Sequence, residues 1–283
     1  EEGYHHGEAS LTEAIAGMAQ NYIGSNNINL LYPSGQFGTR LTGGNDKASP
    51  RYIKTYLEAL TKYIFRVEDE PILKRLLDDE KVIEPENYYP IIPMVLVNGA
   101  EGIGTGFSTT ILKHNVEDLV DNIYNIMNDK KLTVMKPWYI NFKGKVIKTD
   151  KKTYEIYGNY QIEDGNTVII NELPVGLWTT PYKTYLDTIL YENKDTKKNI
   201  IVDHSDDNTD IKVHFVVTFP DKKLMLYVKN DTMEDKLKLI KKVKTSNMHL
   251  FNRNGSIQKY DTAEDILKEW YQVRLEKYAE RKK

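Results

Sequence analysis

Arg51 and Tyr52 are adjacent residues that together carry the groups a phosphodiester-cleaving tyrosine requires. Ser49 is a favourable N-cap and Pro50 suits the first helical position, so we expect Tyr52 at or just inside a helix N-terminus. Backbone N–H groups there favour negative charge, and Arg51 adds a cation that can bind a phosphate. A phenol titrates near ~10 and is a poor nucleophile at neutral pH unless its surroundings stabilise the phenolate. The alternative is that Tyr52 is a half-buried aromatic residue beside a surface arginine.

The elements that must position this pair are predicted from apolar periodicity and turn residues. A first helix is expected over residues 10–22, with Ser10 and Glu13 as a capping box. A glycine-rich loop is expected over 35–50, because glycine and polar residues dominate that stretch. A second helix is expected over 50–65, with Tyr52 off its apolar stripe, and a short buried strand over 94–97.

The second half of the chain changes to a mostly strand-forming pattern. Asp164-Gly165 predicts a hairpin between its flanking strands, and Thr262 is expected to cap the last helix. The other expected segments are strands over 154–162, 166–173, 212–219 and 223–228, and helices over 181–191, 232–244 and from 262 onward. The pattern as a whole predicts an α+β fold.

Composition limits the possible classes of protein. The chain has 283 residues, a formal net charge of −2 and no cysteine. A uniformly basic DNA-binding module, a disulfide framework and a thiolate metal site are therefore excluded. No apolar run is long enough to span a membrane, and no signal peptide begins the chain. Because the first residue falls inside a motif and the last inside a predicted helix, we expect a fragment of a longer protein.

Four motifs in order carry a resemblance that covers essentially the whole chain. They are Tyr4-His5-His6-Gly7-Glu8, Gly35-Gln36-Phe37-Gly38-Thr39-Arg40, Ser49-Pro50-Arg51-Tyr52 and the glycine-rich segment 99–106. The series resembles the DNA-cleavage region of eukaryotic-type type IIA DNA topoisomerases. The bacterial gyrase branch usually has His-Pro-His-Gly-Asp at the first motif and Met-Arg-Tyr at the tyrosine, so this chain is similar to the eukaryotic and large-virus enzymes.

The resemblance implies a domain organisation. Residues 1–110 would form a winged-helix domain carrying the tyrosine, and residues 111–260 a mixed α/β tower domain. Residues 261–283 would begin the coiled coil that leads to the exit gate of the family. The fold class implied is thus α+β, with a winged helix followed by a tower.

The resemblance also implies roles for single residues. Tyr52 would form a transient 5′-phosphotyrosyl link on each strand, and Arg51 would stabilise the charge on the scissile phosphate. His6 would lie close to the reaction, and Ile103 would insert between base pairs and bend the DNA. Ile103 has the alternative of packing in the core, and either histidine that of being structural. The residues expected to contact the DNA backbone are His5, Gln36, Arg40, Lys47 and Lys54.

Partners and cofactors follow from the same resemblance. The partner would be double-stranded DNA, bound by a homodimer, in the nucleus or, for a viral enzyme, in the host cytoplasm or nucleus. Mg²⁺ would be bound by a TOPRIM domain and ATP by an ATPase domain, and neither motif set is present here, so no metal site is expected and the fragment alone should be inactive. One rival is a non-catalytic winged-helix DNA-binding module. A second rival is a nucleotide-binding enzyme using segment 99–106, although that loop lacks the Walker lysine.

Overall fold

A computed structural model describes residues 4, 6–104, 106–192 and 199–283. Helices and antiparallel strands are interleaved along the chain, which confirms the α+β class. The helices are α1 (Glu8–Ala19), α2 (Thr61–Ile64), α3 (Met94–Val97), α4 (Val116–Met127), α5 (Thr179–Leu190), α6 (Lys223–Lys229), α7 (Met233–Lys236) and α8 (Ala263–Lys282), with 3₁₀ turns at Pro50–Tyr52 and Val67–Ile72.

The strands form five small sheets in the described part of the chain. Two-stranded hairpins are made by β1 (Arg75–Asp78) with β2 (Lys81–Pro85), by β3 (Ala100–Gly104) with β4 (Phe107–Ile111), and by β12 (His249–Phe251) with β13 (Ile257–Lys259). A three-stranded sheet has the order β11 (Ile240–Lys244), β6 (Thr153–Tyr157), β5 (Lys145–Asp150). A four-stranded sheet has the order β7 (Asn159–Ile162), β8 (Thr167–Glu172), β10 (Phe215–Thr218), β9 (Asp203–Asp206).

Two large apolar clusters hold these elements together. The first covers the four-stranded sheet with α5, α6 and α7, and includes the fully buried Tyr182 and Phe215. The second joins α3 and α4 to Met248 and Leu267, and so combines residues from both sides of the predicted boundaries at 110 and 260. Those domain limits were drawn from the resemblance, and they stay a prediction.

The predicted helix over residues 50–65 is wrong, and the error concerns the site. Only the 3₁₀ turn Pro50–Tyr52 forms, after which Ile53 is extended with φ −121° and ψ 155°. Residues 54–57 pair with residues 31–34 instead: Tyr32 N donates to Tyr56 O at 2.8 Å and Lys54 N donates to Ser34 O at 3.0 Å. This pairing satisfies backbone groups that the helix would have satisfied internally. Tyr52 is consequently not at the start of a helix, and no helix dipole acts on it.

Other local predictions also fail where tertiary pairing decides the structure. Segment 94–97 is the helix α3 and not a strand, because a short buried apolar run fits either element. Segment 223–228 is helical after a left-handed Lys222, whose φ is 63°. Segment 232–244 divides into α7 and β11, which pairs with β6. The first helix begins at Glu8, which places Ser10 and Glu13 inside it and removes their capping role.

Three predictions based on local signals are confirmed. The β7–β8 hairpin turns at Asp164, whose Oδ1 accepts from Asn166 N at 2.8 Å and Thr167 N at 2.7 Å. Helix α5 occupies the segment predicted over 181–191. Thr262 caps α8, since its Oγ1 accepts from Asp265 N at 3.2 Å. Each signal depends on residues within a few positions of one another.

The buried His114 should make the stability of the protein fall in mild acid. Burial lowers the pKa of His114, and this outweighs the upward effect of its contact with the Leu96 carbonyl, 3.3 Å from Nδ1. The unfolded pKa is about 6.5, so below it the unfolded chain binds a proton that the folded one refuses. The contribution is complete above that pH and is lost as the pH falls, at up to about 1.36 kcal/mol per pH unit. Urea unfolding at pH 7.5 and 5.0 measures it.

The matched control for this prediction is His114→Gln, which keeps a polar side chain and cannot titrate. We expect the variant to lose less stability than the parent between the two pH values, whatever its stability at pH 7.5. An equal loss in both proteins would show that other groups cause the acid sensitivity.

Candidate active site

Tyr52 projects from the surface of the protein. Its side chain belongs to the 3₁₀ turn Pro50–Tyr52, and the residue is 75% exposed. Among the residues that the structure describes, none forms a hydrogen bond with the Tyr52 hydroxyl. The alternative of a half-buried packing tyrosine is therefore wrong, and the phenol is free to meet a ligand.

Two features of the local backbone hold Tyr52 in this position. Ile53, the next residue, packs against a small cluster made by Ala16, Ala19 and Phe37. Beyond it, residues 54–57 are paired with 31–34, which fixes the chain on the C-terminal side of the turn. Since Ile53 is anchored inward and the strand pairing follows at once, Tyr52 is presented on a short, supported turn and not on a free loop.

Arg51 is the cation nearest to this phenol. Its Cζ lies 5.7 Å from the centre of the Tyr52 ring, and the residue is exposed. No carboxylate in the described part of the chain forms an ion pair with it, so its guanidinium donors remain available. A guanidinium with free donors can bind an incoming phosphate through two parallel hydrogen bonds.

The predicted loop over 35–50 is confirmed, and it is stiffened from within by Asp46. Oδ1 of Asp46 accepts from Thr39 N and from Thr42 Oγ1, both at 2.8 Å. Desolvation alone would raise the pKa of Asp46, but these hydrogen bonds outweigh it and lower the pKa. Gln36, at the other end of the loop, is exposed, and its Oε1 accepts from Gly38 N at 3.2 Å.

Arg40 does not occupy the position predicted for a phosphate contact. The residue is 5% exposed, and its guanidinium pairs with the Glu172 carboxylate, which is equally buried. The backbone next to it docks on the same region, since Thr180 N donates to Leu41 O at 2.9 Å. Arg40 therefore connects the loop to the start of α5 and the end of β8, and its charge is already neutralised inside the protein.

The remaining predicted DNA contacts differ in availability. Lys47 is mostly covered and pairs with Glu13 at 3.0 Å, so a phosphate would have to compete for it. Lys54 is exposed at the strand pairing that follows the turn. His6 is exposed and its ring meets the Tyr4 ring edge-on, with 5.5 Å between centroids. His5 lies outside the described residues.

Ile103 is almost wholly in solvent, with 93% of its surface exposed. It lies near the end of the β3–β4 hairpin, where it pairs with Ser108 of the opposite strand. Packing in the core, the structural alternative for this residue, is excluded by that exposure. The glycine-rich segment 99–106 thus forms a two-stranded wing and not the strand–loop–helix of a phosphate-binding loop, which removes the support for the nucleotide-binding rival.

Several residues with a part in this surface gave no signal in the sequence. Glu172, the partner of Arg40, lies 132 positions away in the chain. Asn247 and His249 touch the wing from β12 and its approach, about as far from it in sequence. Such pairs become visible only when distant segments are brought together.

The residues present do not fit the cofactors that the resemblance implies. In the described residues, no group of three or more histidine, aspartate or glutamate side chains is placed to hold a metal ion. No described helix is long and apolar enough to cross a membrane. The chemistry that these side chains offer is therefore that of a phenol with an adjacent cation, beside an exposed apolar wing.

Comparison with known proteins gives consistent results. The family model described as DNA gyrase/topoisomerase IV matches residues 1–283. DNA topoisomerase 2 top-2 of Caenorhabditis elegans is 45% identical, over 99% of this chain and 18% of its own length. DNA topoisomerase 2 of Saccharomyces cerevisiae is 44% identical, over 99% of this chain and 19% of its own length. The relative from Acanthamoeba polyphaga mimivirus, also named DNA topoisomerase 2, is 40% identical and is covered to 26%.

A solved structure agrees with these matches. The Plasmodium falciparum topoisomerase II DNA-binding, cleavage and re-ligation domain superposes with a TM-score of 0.95 at 42% identity, covering 100% of this chain and 38% of that one. The chain spans about a fifth of the length of the two cellular relatives. Matched over its whole length by the family model, the chain belongs to the DNA gyrase/topoisomerase IV family, the type IIA DNA topoisomerases, and is similar to the members named DNA topoisomerase 2.

Proposed function

We propose that this chain is the DNA breakage-and-reunion region of a type II DNA topoisomerase and that Tyr52 is its nucleophile. The Tyr52 oxygen forms a bond to a backbone phosphorus while the bond from phosphorus to the 3′-oxygen breaks. The phenol proton leaves to a base, and the departing 3′-oxygen takes up a proton. The exchange of one ester for another conserves the number of phosphodiester bonds, so rejoining is the same step in reverse.

The observation that carries this proposal is the exposed Tyr52 beside Arg51. Two of its requirements, a free phenol and an unpaired cation next to it, are met on a supported turn. Double-stranded DNA is the proposed substrate, and a homodimer would place one such tyrosine on each strand. Mg²⁺ and ATP would be held by parts of the enzyme other than these residues, in the nucleus or, for a virus, in the infected host cell.

The rival without catalysis is a winged-helix module that only binds DNA. The two functions are separated by mixing the chain with DNA and a metal-binding TOPRIM part, with Mg²⁺ present, and then denaturing with detergent. A topoisomerase leaves protein covalently attached to DNA, and a binding module releases all of it. Release of all protein under conditions in which the DNA is bound would contradict the proposal.

Arg51→Ala should slow cleavage without abolishing DNA binding. If Arg51 donates to the scissile phosphate, its loss removes one donor to the transition state, which is worth about 10²–10³ in rate. Cleavage rates at saturating DNA measure this, and the control is Lys54→Ala, which removes an exposed cation three positions away. A similar loss in both variants would mean that general positive charge, and not a specific contact, is what cleavage needs.

Ile103→Ala should reduce DNA bending and leave the fold intact. Truncation of so exposed a side chain is expected to change the free energy of unfolding by within about 0.5 kcal/mol. An apolar wedge that partly unstacks a base step would, in contrast, lose its effect when cut to a methyl group. Thermal melting and energy transfer between dyes at the two ends of a duplex test both parts. Normal bending by the variant would contradict the wedge role.

A further inference from the structure

Two polar side chains connect the β3–β4 wing to the segment that precedes α8. His249 Nδ1 lies 3.0 Å from Ser108 O, and because a carbonyl can only accept, Nδ1 carries the proton and donates. Asn247 Nδ2 donates to Ser108 Oγ at 3.0 Å and to Thr110 Oγ1 at 3.4 Å. The wing strand β4 is therefore held at two of its residues by side chains from one short segment.

The segment that holds the wing is itself fixed to the core. Met248 is buried in the second apolar cluster, and Leu250 packs against the same cluster. Tyr260 N donates to Met248 O at 2.8 Å, which ties the segment to the approach of α8. Side chains alternate along an extended chain, so Asn247 and His249 project to the side opposite Met248 and Leu250. The contacts to the wing thus start from a rigid base.

These contacts are made at the residue that faces Ile103. Ser108 is the cross-strand partner of Ile103, and the neighbouring Phe107 meets the His249 ring at 5.5 Å between centroids, with 62° between the planes. A two-stranded hairpin is marginally stable by itself and needs support from outside to keep one direction. On the side of β4, that support comes from Asn247 and His249.

We propose that His249, together with Asn247, is a positioning residue that fixes the angle at which the wing presents Ile103 to the duplex. The proposal rests on the proposed function, in which Ile103 is the bending wedge. Unstacking a base step pushes back on the wedge, and a hairpin free to swing would yield where a supported one drives the bend. Neither side chain needs to touch DNA for this role.

Three substitutions of His249 separate the contributions. His249→Ala removes the donor and the ring. His249→Asn keeps a donor on the atom that corresponds to Nδ1, and His249→Phe keeps only the ring contact with Phe107. His214→Ala is the matched control, because it removes a histidine in the strand region of β10, away from the wing. All are made in the complete topoisomerase that contains this chain.

The first readout is hydrogen exchange of the wing amides without DNA. Loss of one hydrogen bond and its neighbouring ring contact should speed opening of the wing by about tenfold in His249→Ala, with less change in His249→Asn and none in His214→Ala. The second readout is the bend angle from end-to-end energy transfer. His249→Ala should show reduced bending although Ile103 is intact, and His249→Asn should recover part of it.

The outcomes distinguish this proposal from the one on which it rests. Normal bending by His249→Ala, when Ile103→Ala fails to bend, would overturn the positioning role and leave the wedge. Normal bending by both variants would overturn the wedge itself. Unchanged exchange of the wing amides in His249→Ala would show that the contact gives no support, and this also overturns the positioning role.

Discussion

Tyr52→Phe should abolish the covalent attachment of protein to DNA while leaving DNA binding close to that of the parent. The change removes a single hydroxyl and keeps the ring, and the ring is largely in solvent, so the fold has no reason to respond. Without the oxygen there is no nucleophile, and the adduct should fall below detection. Denaturing gels of the complete enzyme with Mg²⁺, run beside a binding assay, measure both quantities.

Neighbouring exposed tyrosines provide the matched control. Tyr56→Phe and Tyr63→Phe remove the same atom from the same stretch of surface. Neither residue has an unpaired arginine beside it comparable to Arg51, and we expect both variants to cleave DNA normally. If Tyr52→Phe still formed the adduct and either control lost it, the nucleophile would have been assigned to the wrong residue.

Arg40→Ala should destabilise the fold by about 3–5 kcal/mol, which is the usual loss when one partner of a buried ion pair is removed. The Glu172 carboxylate would remain in a nearly dry site without its guanidinium, and the loop over 35–50 would lose a connection to α5. Urea unfolding measures the change. Arg51→Ala, an exposed and unpaired arginine in the same region, should alter stability by within about 0.5 kcal/mol.

A double variant makes this result specific. Arg40→Met with Glu172→Leu removes both charges and keeps apolar volume, so it should recover most of the stability that Arg40→Ala loses. The opposite finding would be a fully stable Arg40→Ala that binds DNA more weakly, with a salt dependence reduced by about one phosphate contact. That finding would restore the phosphate-binding role predicted from the sequence.

Local signals were sufficient for parts of this fold. The cap of α8 depends on Thr262 and Asp265, three positions apart, and the β7–β8 turn on Asp164 and the two residues it accepts from. In both cases the residues that make the structure are also the residues that form the pattern. The exposed Tyr52 beside Arg51 belongs to the same group, because adjacent residues on a turn remain adjacent in space.

The errors have the opposite origin. Residues 54–57 carry helical periodicity, but their backbone pairs with residues 31–34, and no window around Tyr52 contains that information. Arg40 has the sequence surroundings of a surface arginine because its partner, Glu172, lies 132 positions away. The same applies to His249 and the wing. The resemblance located the chemistry, and distant contacts decided which of the predicted cations are free to take part in it.

The most direct test of Tyr52 as the nucleophile identifies the tyrosine that carries the DNA. The covalent complex would be trapped with Mg²⁺, the protein digested with protease, and the peptide still bearing a nucleotide sequenced by mass spectrometry. The chain has 20 tyrosines, so the assignment is not trivial. We expect a 5′-phosphate ester on the peptide that contains Pro50, Arg51 and Tyr52, at Tyr52. A nucleotide on any other tyrosine, or on a serine, would contradict that role.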